Sequence, residues 1–235
     1  MNVGRAFKFV FDDPRWLLKL FIGGLFAVAA GFLNFIPILG QVVAFAGGLV
    51  VTGYSLILVR RVMDGYDTPL PEWDDIGGLL TFGLKGFVVQ LGWSLPLIVL
   101  GLAVLLPGIV VENSGLIALG ALAVLVLALA TLLIAPAGLG RLAATGSIGE
   151  GLNIRLILEM VRNNLGDYVL LALAAVGALL IGVAGFLIFV VGGLLTFPYA
   201  LLVIAHLTGQ AYFRSISTLP APAVAAAAER PYLEP

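Results

Sequence analysis

What most constrains this chain is a succession of six apolar runs, at residues 17–35, 42–59, 87–106, 116–135, 169–191 and 194–212. A helix needs about 20 predominantly apolar residues to cross the hydrocarbon of a bilayer. Each run meets that length, and none carries Asp, Glu, Lys or Arg beyond its first turn. Composition closes off the alternatives. The chain is 61% hydrophobic and 11% charged, where a soluble domain has about a quarter charged residues. The 12 Lys and Arg and 13 Asp and Glu cannot cover the surface of a 235-residue globule, which excludes a soluble enzyme. A net charge of −1 gives no basic field for nucleic acid. With no cysteine there is no disulfide framework, thiolate nucleophile or thiolate metal site. The fold class that remains is all-α, a polytopic membrane protein.

The gaps between runs are alternately short and long, so the six spans pair as three hairpins. Ile36-Pro37-Ile38-Leu39-Gly40 reads as a tight turn, Pro96 as a kink, Pro136 as the end of the fourth span, and Gly192-Gly193 as the last turn. Arg5, Lys8, Arg15 and Lys19 lie before or at the start of span one. Arg60, Arg61 and Lys85 follow span two, Arg141, Arg155 and Arg162 follow span four, and Arg214 and Arg230 follow span six. The turns at 36–41, 107–115 and 192–193 hold no cation, and only Glu112 carries charge there. The excess of Lys and Arg on cytoplasmic loops therefore predicts both termini in the cytoplasm of a multi-pass cell-membrane protein. No cleavable signal stands at the amino end. Residues 1–214 read as a single transmembrane domain, and the Pro- and Ala-rich stretch 215–235 as a disordered tail.

Each hairpin is preceded by a stretch with amphipathic helical spacing. The apolar stripes are Val3, Phe7, Val10 and Phe11, then Ile76, Leu79, Leu80, Leu84 and Phe87, then Ile154, Leu158, Val161 and Leu165. Such helices lie in the headgroup plane. Asp74 or Asp75 is set to cap the second, and Ser147 with Glu150 forms a capping box before the third. The starts near Val3, Asp75 and Ser147 define pseudo-repeats of about 1–73, 74–146 and 147–214. Gly65, Gly146 and Gly209 each stand where a glycine can cap an even-numbered span. Two rows of small residues, Ala44-Gly48-Thr52 and Ala174-Ala178-Gly182, predict close helix packing, within one chain or between two copies.

Polar candidates are few. Asn34 and Gln41 flank the first turn and satisfy its backbone. Gln90 and Ser94, one turn apart, either line a small polar pocket or make interhelical hydrogen bonds. His206, the lone histidine, reads as a hydrogen-bonded residue near the cytoplasmic face rather than an axial ligand, and no cofactor or metal is expected. The densest polar segment holds Asp64, Asp67, Glu72, Trp73, Asp74 and Asp75. Its carboxylates offer oxygen ligands for a cation or contacts for headgroups. The structural reading pairs Asp64 and Asp67 with Arg60 and Arg61, uses Asp74 and Asp75 as caps, and anchors Trp73 at the interface. Asp12-Asp13-Pro14-Arg15-Trp16 echoes this segment before span one.

With D-D-P-R-W at residues 12–16, G-Y at Gly53-Tyr54, the R-R-V-x-x-G turn and L-P-E-W-D-D at residues 70–75, the chain resembles a domain-of-unknown-function family of prokaryotic multi-pass membrane proteins. The resemblance implies location and architecture and carries no catalytic residue. Three functions follow as expectations. The first is a non-enzymatic scaffold, assembly or membrane-organising protein, with lipid, another membrane protein or a second copy as partner. The second is a permease for a neutral or lipophilic solute. The third is a headgroup enzyme using Asp64, Asp67 and Glu72, whose missing pocket and partner base argue against it.

Overall fold

The computed structural model describes residues 1–33, 36, 38–188 and 190–217. Asn34, Phe35 and Pro37 of the first turn lie outside the described residues, as does the tail from residue 218. Helix α1 (Val3–Lys8) runs into a 3-10 turn (Phe9–Asp12) and leads to α2 (Trp16–Leu33) and α3 (Leu39–Met63). After an irregular loop come α4 (Ile76–Leu100), a π-helical turn (Gly101–Leu105), α5 (Leu106–Val110) and α6 (Ser114–Thr145). Two short helices, α7 (Ile148–Gly151) and α8 (Ile154–Asn163), precede α9 (Leu165–Ile188) and α10 (Val190–Ile216). No strand occurs among the described residues. Five stretches are long and apolar enough to cross a membrane: α3, Ile76–Val110, α6, Leu165–Leu187 and Gly192–Ile216. Helix α2 has 18 residues, about 27 Å at 1.5 Å per residue. So much exposed apolar helix belongs in lipid, where helices satisfy their own backbone groups.

Local chemistry explains most boundaries. Asp75 caps α4, its carboxylate accepting from the Gly78 amide at 2.8 Å. Asn113 caps α6 through the Leu116 amide at 3.0 Å, and Asn153 caps α8 through the Leu156 amide at 3.2 Å. Gly65 and Gly146 end α3 and α6 with φ of 76° and 71°, the left-handed region where a side chain is strained. Asp75→Ala is expected to cost about 1 kcal/mol, read as lower thermal stability of the purified protein, with Asp75→Asn nearly neutral.

Several expectations need correction. Residues 76–87 are not a separate in-plane helix but the first half of α4, because nothing between Asp75 and Pro96 interrupts the helix and Leu79 and Gly83 are buried against α3. Pro136 does not end the fourth span, since α6 continues to Thr145, as membrane helices often do through proline. The π turn stands just before Pro107, whose ring removes an amide donor, and the Leu106 amide reaches back to the Gly101 carbonyl. Gly192 and Gly193 are helical residues of α10. Gly209 is no cap either: it lies within α10, and a Cβ there would meet the Val59 carbonyl at 2.8 Å. Helix α10 includes Ser215, which is fully buried.

Helices α3 and α10 form the centre of the bundle, flanked by α2, α4, α6 and α9. Backbones meet where glycine permits. A Cβ on Gly53 would fall on the Leu79 carbonyl, one on Gly83 on the Leu49 carbonyl, and one on Gly24 on the Leu194 carbonyl. Of the two predicted small-residue rows, Ala178 and Gly182 pack within the chain, Gly182 facing Ala200. Gly48 faces open space instead. The outer part of the α4–α6 hairpin stands apart from this core. The π turn and α5 pack on α4 and α6, and Leu102, Val110, Leu119, Leu122, Leu125 and Leu129 are exposed around them.

Helix α1 and its 3-10 turn pack on the chain rather than lying free with Val3, Phe7, Val10 and Phe11 in lipid. The buried row is Ala6, Phe9 and Val10, while Phe11 is exposed. In α8, Leu156, Ile157, Met160 and Val161 are buried, leaving Ile154, Leu158, Arg155 and Arg162 outside. The cations tie neighbouring helix ends together: Arg60 donates to the Ala143 carbonyl at 2.8 Å, Lys85 to the Gly146 carbonyl at 3.0 Å, and Arg214 pairs with Asp167 at 3.2 Å.

Candidate functional site

The most concentrated chemistry lies where the start of α2 meets the loop between α3 and α4. Asp13 precedes α2 and is 5% exposed; Lys19, in the first turn of α2, is 4% exposed. A buried ammonium needs compensation for its charge and its three N–H groups, and here three oxygens surround it. Lys19 Nζ donates to Asp13 Oδ2 at 2.7 Å and to the Leu70 carbonyl at 3.2 Å, and forms an ion pair with Glu72 Oε1 at 2.7 Å. Glu72 Oε1 also accepts from Arg15 Nη2 at 2.7 Å. Asp13 Oδ1 in turn accepts from the Arg15 amide at 2.7 Å. Two cations and two carboxylates thus close a neutral network across 60 residues of sequence, Asp13 to Glu72.

Next to this network the loop inserts an aromatic wedge. The Trp73 ring stacks on Tyr54 of α3 at 4.0 Å and 15°, and on Phe26 of α2 at 5.6 Å and 28°. Its indole N–H donates to the Lys19 carbonyl at 3.2 Å. The Tyr54 hydroxyl donates to the Pro71 carbonyl at 2.9 Å, and Arg61 Nη1 to the Leu70 carbonyl at 3.0 Å. Below the ring a cavity of about 10 Å³ remains, bordered by Gly23, Val51, Ser55, Pro198 and Leu202, space for about one water. The slot is therefore a tight pocket between α2, α3 and α10, filled from the loop.

A second buried charge sits at the end of α6. Arg141 is 1% exposed; its Nε and Nη2 donate to Glu150 Oε2 at 2.9 and 2.5 Å, and its Nη1 to the Tyr212 hydroxyl at 3.2 Å. This joins α6, α7 and α10. The predicted capping box is only half formed, because Ser147 accepts from the Glu150 amide at 3.4 Å while the Glu150 carboxylate turns to Arg141.

The predicted site residues separate. Of the acidic segment, Glu72 and Trp73 enter the slot, whereas Asp64, Asp67, Asp74 and Asp75 are exposed around it. Trp73 is half-buried, its ring against Tyr54 and Phe26. Arg61 turns to Leu70 and over the Tyr66 ring at 5.6 Å, and Arg5 reaches the Asp67 carbonyl at 3.3 Å, so Asp67 is bound by its backbone. Gln90 donates to Ser94 at 3.3 Å, one turn along the same helix, with Gln90 on the exposed side of α4. His206 stacks on Phe9 at 4.3 Å, and its Nδ1 lies 2.9 Å from Gln210 Nε2. No group of three His, Cys, Asp or Glu able to hold a metal occurs among the described residues.

A family model described as "Protein of unknown function (DUF4013)" matches residues 36–204. The chain belongs to this family. No curated protein and no solved structure matches it. The DUF4013 region contains Tyr54, Glu72, Trp73, Arg141 and Glu150, while Asp13, Arg15 and Lys19 precede it. Sequence reasoning missed Lys19 and Asp13 as site residues, along with the Arg141–Glu150–Tyr212 group. The available signal was a lysine inside an apolar run, which must find a carboxylate, together with two D-D-containing motifs of like composition.

The network carries a pH dependence. Burial pushes the Asp13 carboxyl up, but the hydrogen bond from Lys19, the Arg15 amide and the two positive charges outweigh it and hold it below its ordinary 3.8. A lowered native value contributes stability above the unfolded value and loses it as pH falls through the native one. Thermal stability of the wild type is expected to drop as pH falls below about 3.8. Asp13→Asn starts less stable and shows a shallower drop, checked by unfolding curves from about pH 6 to about pH 2.5, which bracket the ordinary carboxylate range.

Proposed function

We propose that this chain is a non-enzymatic membrane scaffold, a protein of the cell membrane that acts through the surfaces it presents. In this reading six helices cross the bilayer as the hairpins α2–α3, α4–α6 and α9–α10. The hairpins are pseudo-repeats of one another, and both termini are cytoplasmic. The one-sided distribution of Lys and Arg supports that orientation. Lipid and a second membrane protein, or a second copy, are the partners.

The observation that carries the role is how the polar groups are used. Among the described residues every buried side-chain nitrogen and oxygen has a hydrogen-bond partner. Lys19 and Arg141 spend their donors on the fold itself. Coupled transport needs a titrating or ion-binding group inside the membrane, and catalysis a general base with a partner and a pocket for substrate. The α4–α6 hairpin instead offers leucine and valine outward along most of its length, a surface for lipid or for another helix.

Reconstitution of the full chain into vesicles tests this. Scaffold action predicts a protein-dependent change in lipid order and no leak of neutral solutes above protein-free vesicles. Solute flux that Gln90→Ala abolishes would overturn it in favour of a permease. Unchanged lipid order and no stable assembly with itself or another membrane protein would also overturn it. The absence of cysteine makes orientation direct to measure: Glu112→Cys should react with a membrane-impermeant maleimide in intact cells, and reaction only after lysis refutes cytoplasmic termini.

A further inference from the structure

We infer that the slot between α2, α3 and α10 is a binding site for an anionic amphiphile, and that Glu72 and Trp73 occupy it as an internal stand-in. The site is independent of the scaffold role. Two adjacent loop residues present a carboxylate and a large apolar ring, the two parts that such a ligand carries as headgroup and chain. The carboxylate is held by Arg15 and Lys19, both at 2.7 Å. The ring lies between Tyr54 and Phe26, above a cavity that continues along Gly23, Val51 and Leu202. Without Glu72, the charges of Asp13, Arg15 and Lys19 sum to +1, so the vacated headgroup position is an anion site. A phosphate or carboxylate could accept the same two charge-assisted bonds, which are the strong kind.

Leu70, 1% exposed, and buried Pro71 anchor the loop in the core, so the part that leaves the slot is residues 72–75. Residues 64–75 contain no helix or strand, and the segment is held by bonds to the carbonyls of Asp67, Leu70 and Pro71. Glu72 is the more accessible member of the network, with 38% of its side chain exposed against 7% for Asp13. Lys19 therefore keeps its inner carboxylate when Glu72 leaves. The cavity of about 10 Å³ is too small for a chain, so ligand and indole exclude each other. Binding then releases residues 72–75 and changes the surface next to the amino end of α4.

The test uses the full chain in nanodiscs of phosphatidylcholine, with oleate or phosphatidylglycerol added as probes and oleyl alcohol as the neutral control. Ligand affinity is reduced by the fraction of protein in which the slot is free, so Trp73→Ala is expected to bind about tenfold tighter or more. Arg15→Gln, at an exposed side chain, loses one charge-assisted bond and is expected to bind about tenfold weaker. In a variant carrying Trp16→Phe and Trp93→Phe, which leaves Trp73 as the one tryptophan, emission should shift to longer wavelength when a probe displaces the ring from between Tyr54 and Phe26. Response to oleate alone identifies a fatty-acid carboxylate, and response to phosphatidylglycerol alone a phospholipid phosphate. Should Trp73→Ala fail to fold, Glu72→Gln carries the same expectation, because the internal competitor loses its charge. Equal binding by wild type and the vacated variants, equal binding of oleyl alcohol, or an unchanged Trp73 emission overturns the inference.

Discussion

Gly53→Ala is expected to destabilise the protein by about 2–3 kcal/mol or more, while Gly48→Ala, five residues earlier on the same helix, is neutral or slightly stabilising. The added methyl at Gly53 falls on the Leu79 carbonyl, which belongs to the backbone of α4 and cannot rotate aside. Overpacking a close-packed core costs about 1–3 kcal/mol even where side chains can yield. The same change at Gly48 meets nothing within 4 Å, and alanine is favoured over glycine in a helix by up to about 1 kcal/mol. Gly83→Ala should behave like Gly53→Ala, because it strikes the Leu49 carbonyl across the same crossing. Thermal unfolding of the purified variants in one detergent reads the contrast. Equal midpoints for the Gly48 and Gly53 variants would refute the packing.

Lys19→Met should be comparably damaging. Removing one partner of a buried ion pair costs about 3–5 kcal/mol because the other charge stays buried. The lower end applies here, since Glu72 keeps Arg15 and partial exposure. Asp13 is the residue left stranded, with 7% of its side chain exposed. The double variant Lys19→Met with Asp13→Leu should recover most of the loss, because an apolar pair of similar volume avoids desolvation altogether. Failure of the second substitution to rescue the first would show that Lys19 acts mainly through Glu72 and the Leu70 carbonyl.

The apolar runs are legible because lipid imposes a length on each helix that needs no knowledge of its neighbours. Charge asymmetry is legible for the same reason. What depends on a partner is not. Lys19 sits in an apolar run as though it were a flanking cation, and only folding brings it to Glu72. The D-D-P-R-W and L-P-E-W-D-D motifs are visible separately, and their contact through Arg15, Lys19 and Glu72 is a tertiary fact. The small row Ala44-Gly48-Thr52 stands out by its regular spacing, yet the helix crossing uses Gly53, whose glycine partner lies 30 residues on at position 83. Amphipathic spacing over residues 76–87 is real, but Ile76, Leu80, Leu84 and Phe87 of that stripe stay exposed while Leu79 and Gly83 pack on α3, so the segment joins the long helix rather than forming a separate one. Pro136 has the opposite effect from the one expected, because the helix around it has no better alternative in lipid than to continue.

The unequal helix lengths have a consequence for the surrounding bilayer. Ile76–Val110 has 35 residues and α6 has 32, against 25 for α3. At about 1.5 Å per residue the longer pair reaches roughly 50 Å, well beyond the roughly 30 Å of a hydrocarbon core. Not all of that length can face acyl chains, since Lys85 stands in the first half of α4 and Arg141 near the end of α6, each tied by hydrogen bonds to the segment 146–150. In a bilayer that end of the hairpin would stand at headgroup level, so the two helices displace headgroups on the side that holds the cations, while the apolar remainder of each is close to the roughly 30 Å of the hydrocarbon.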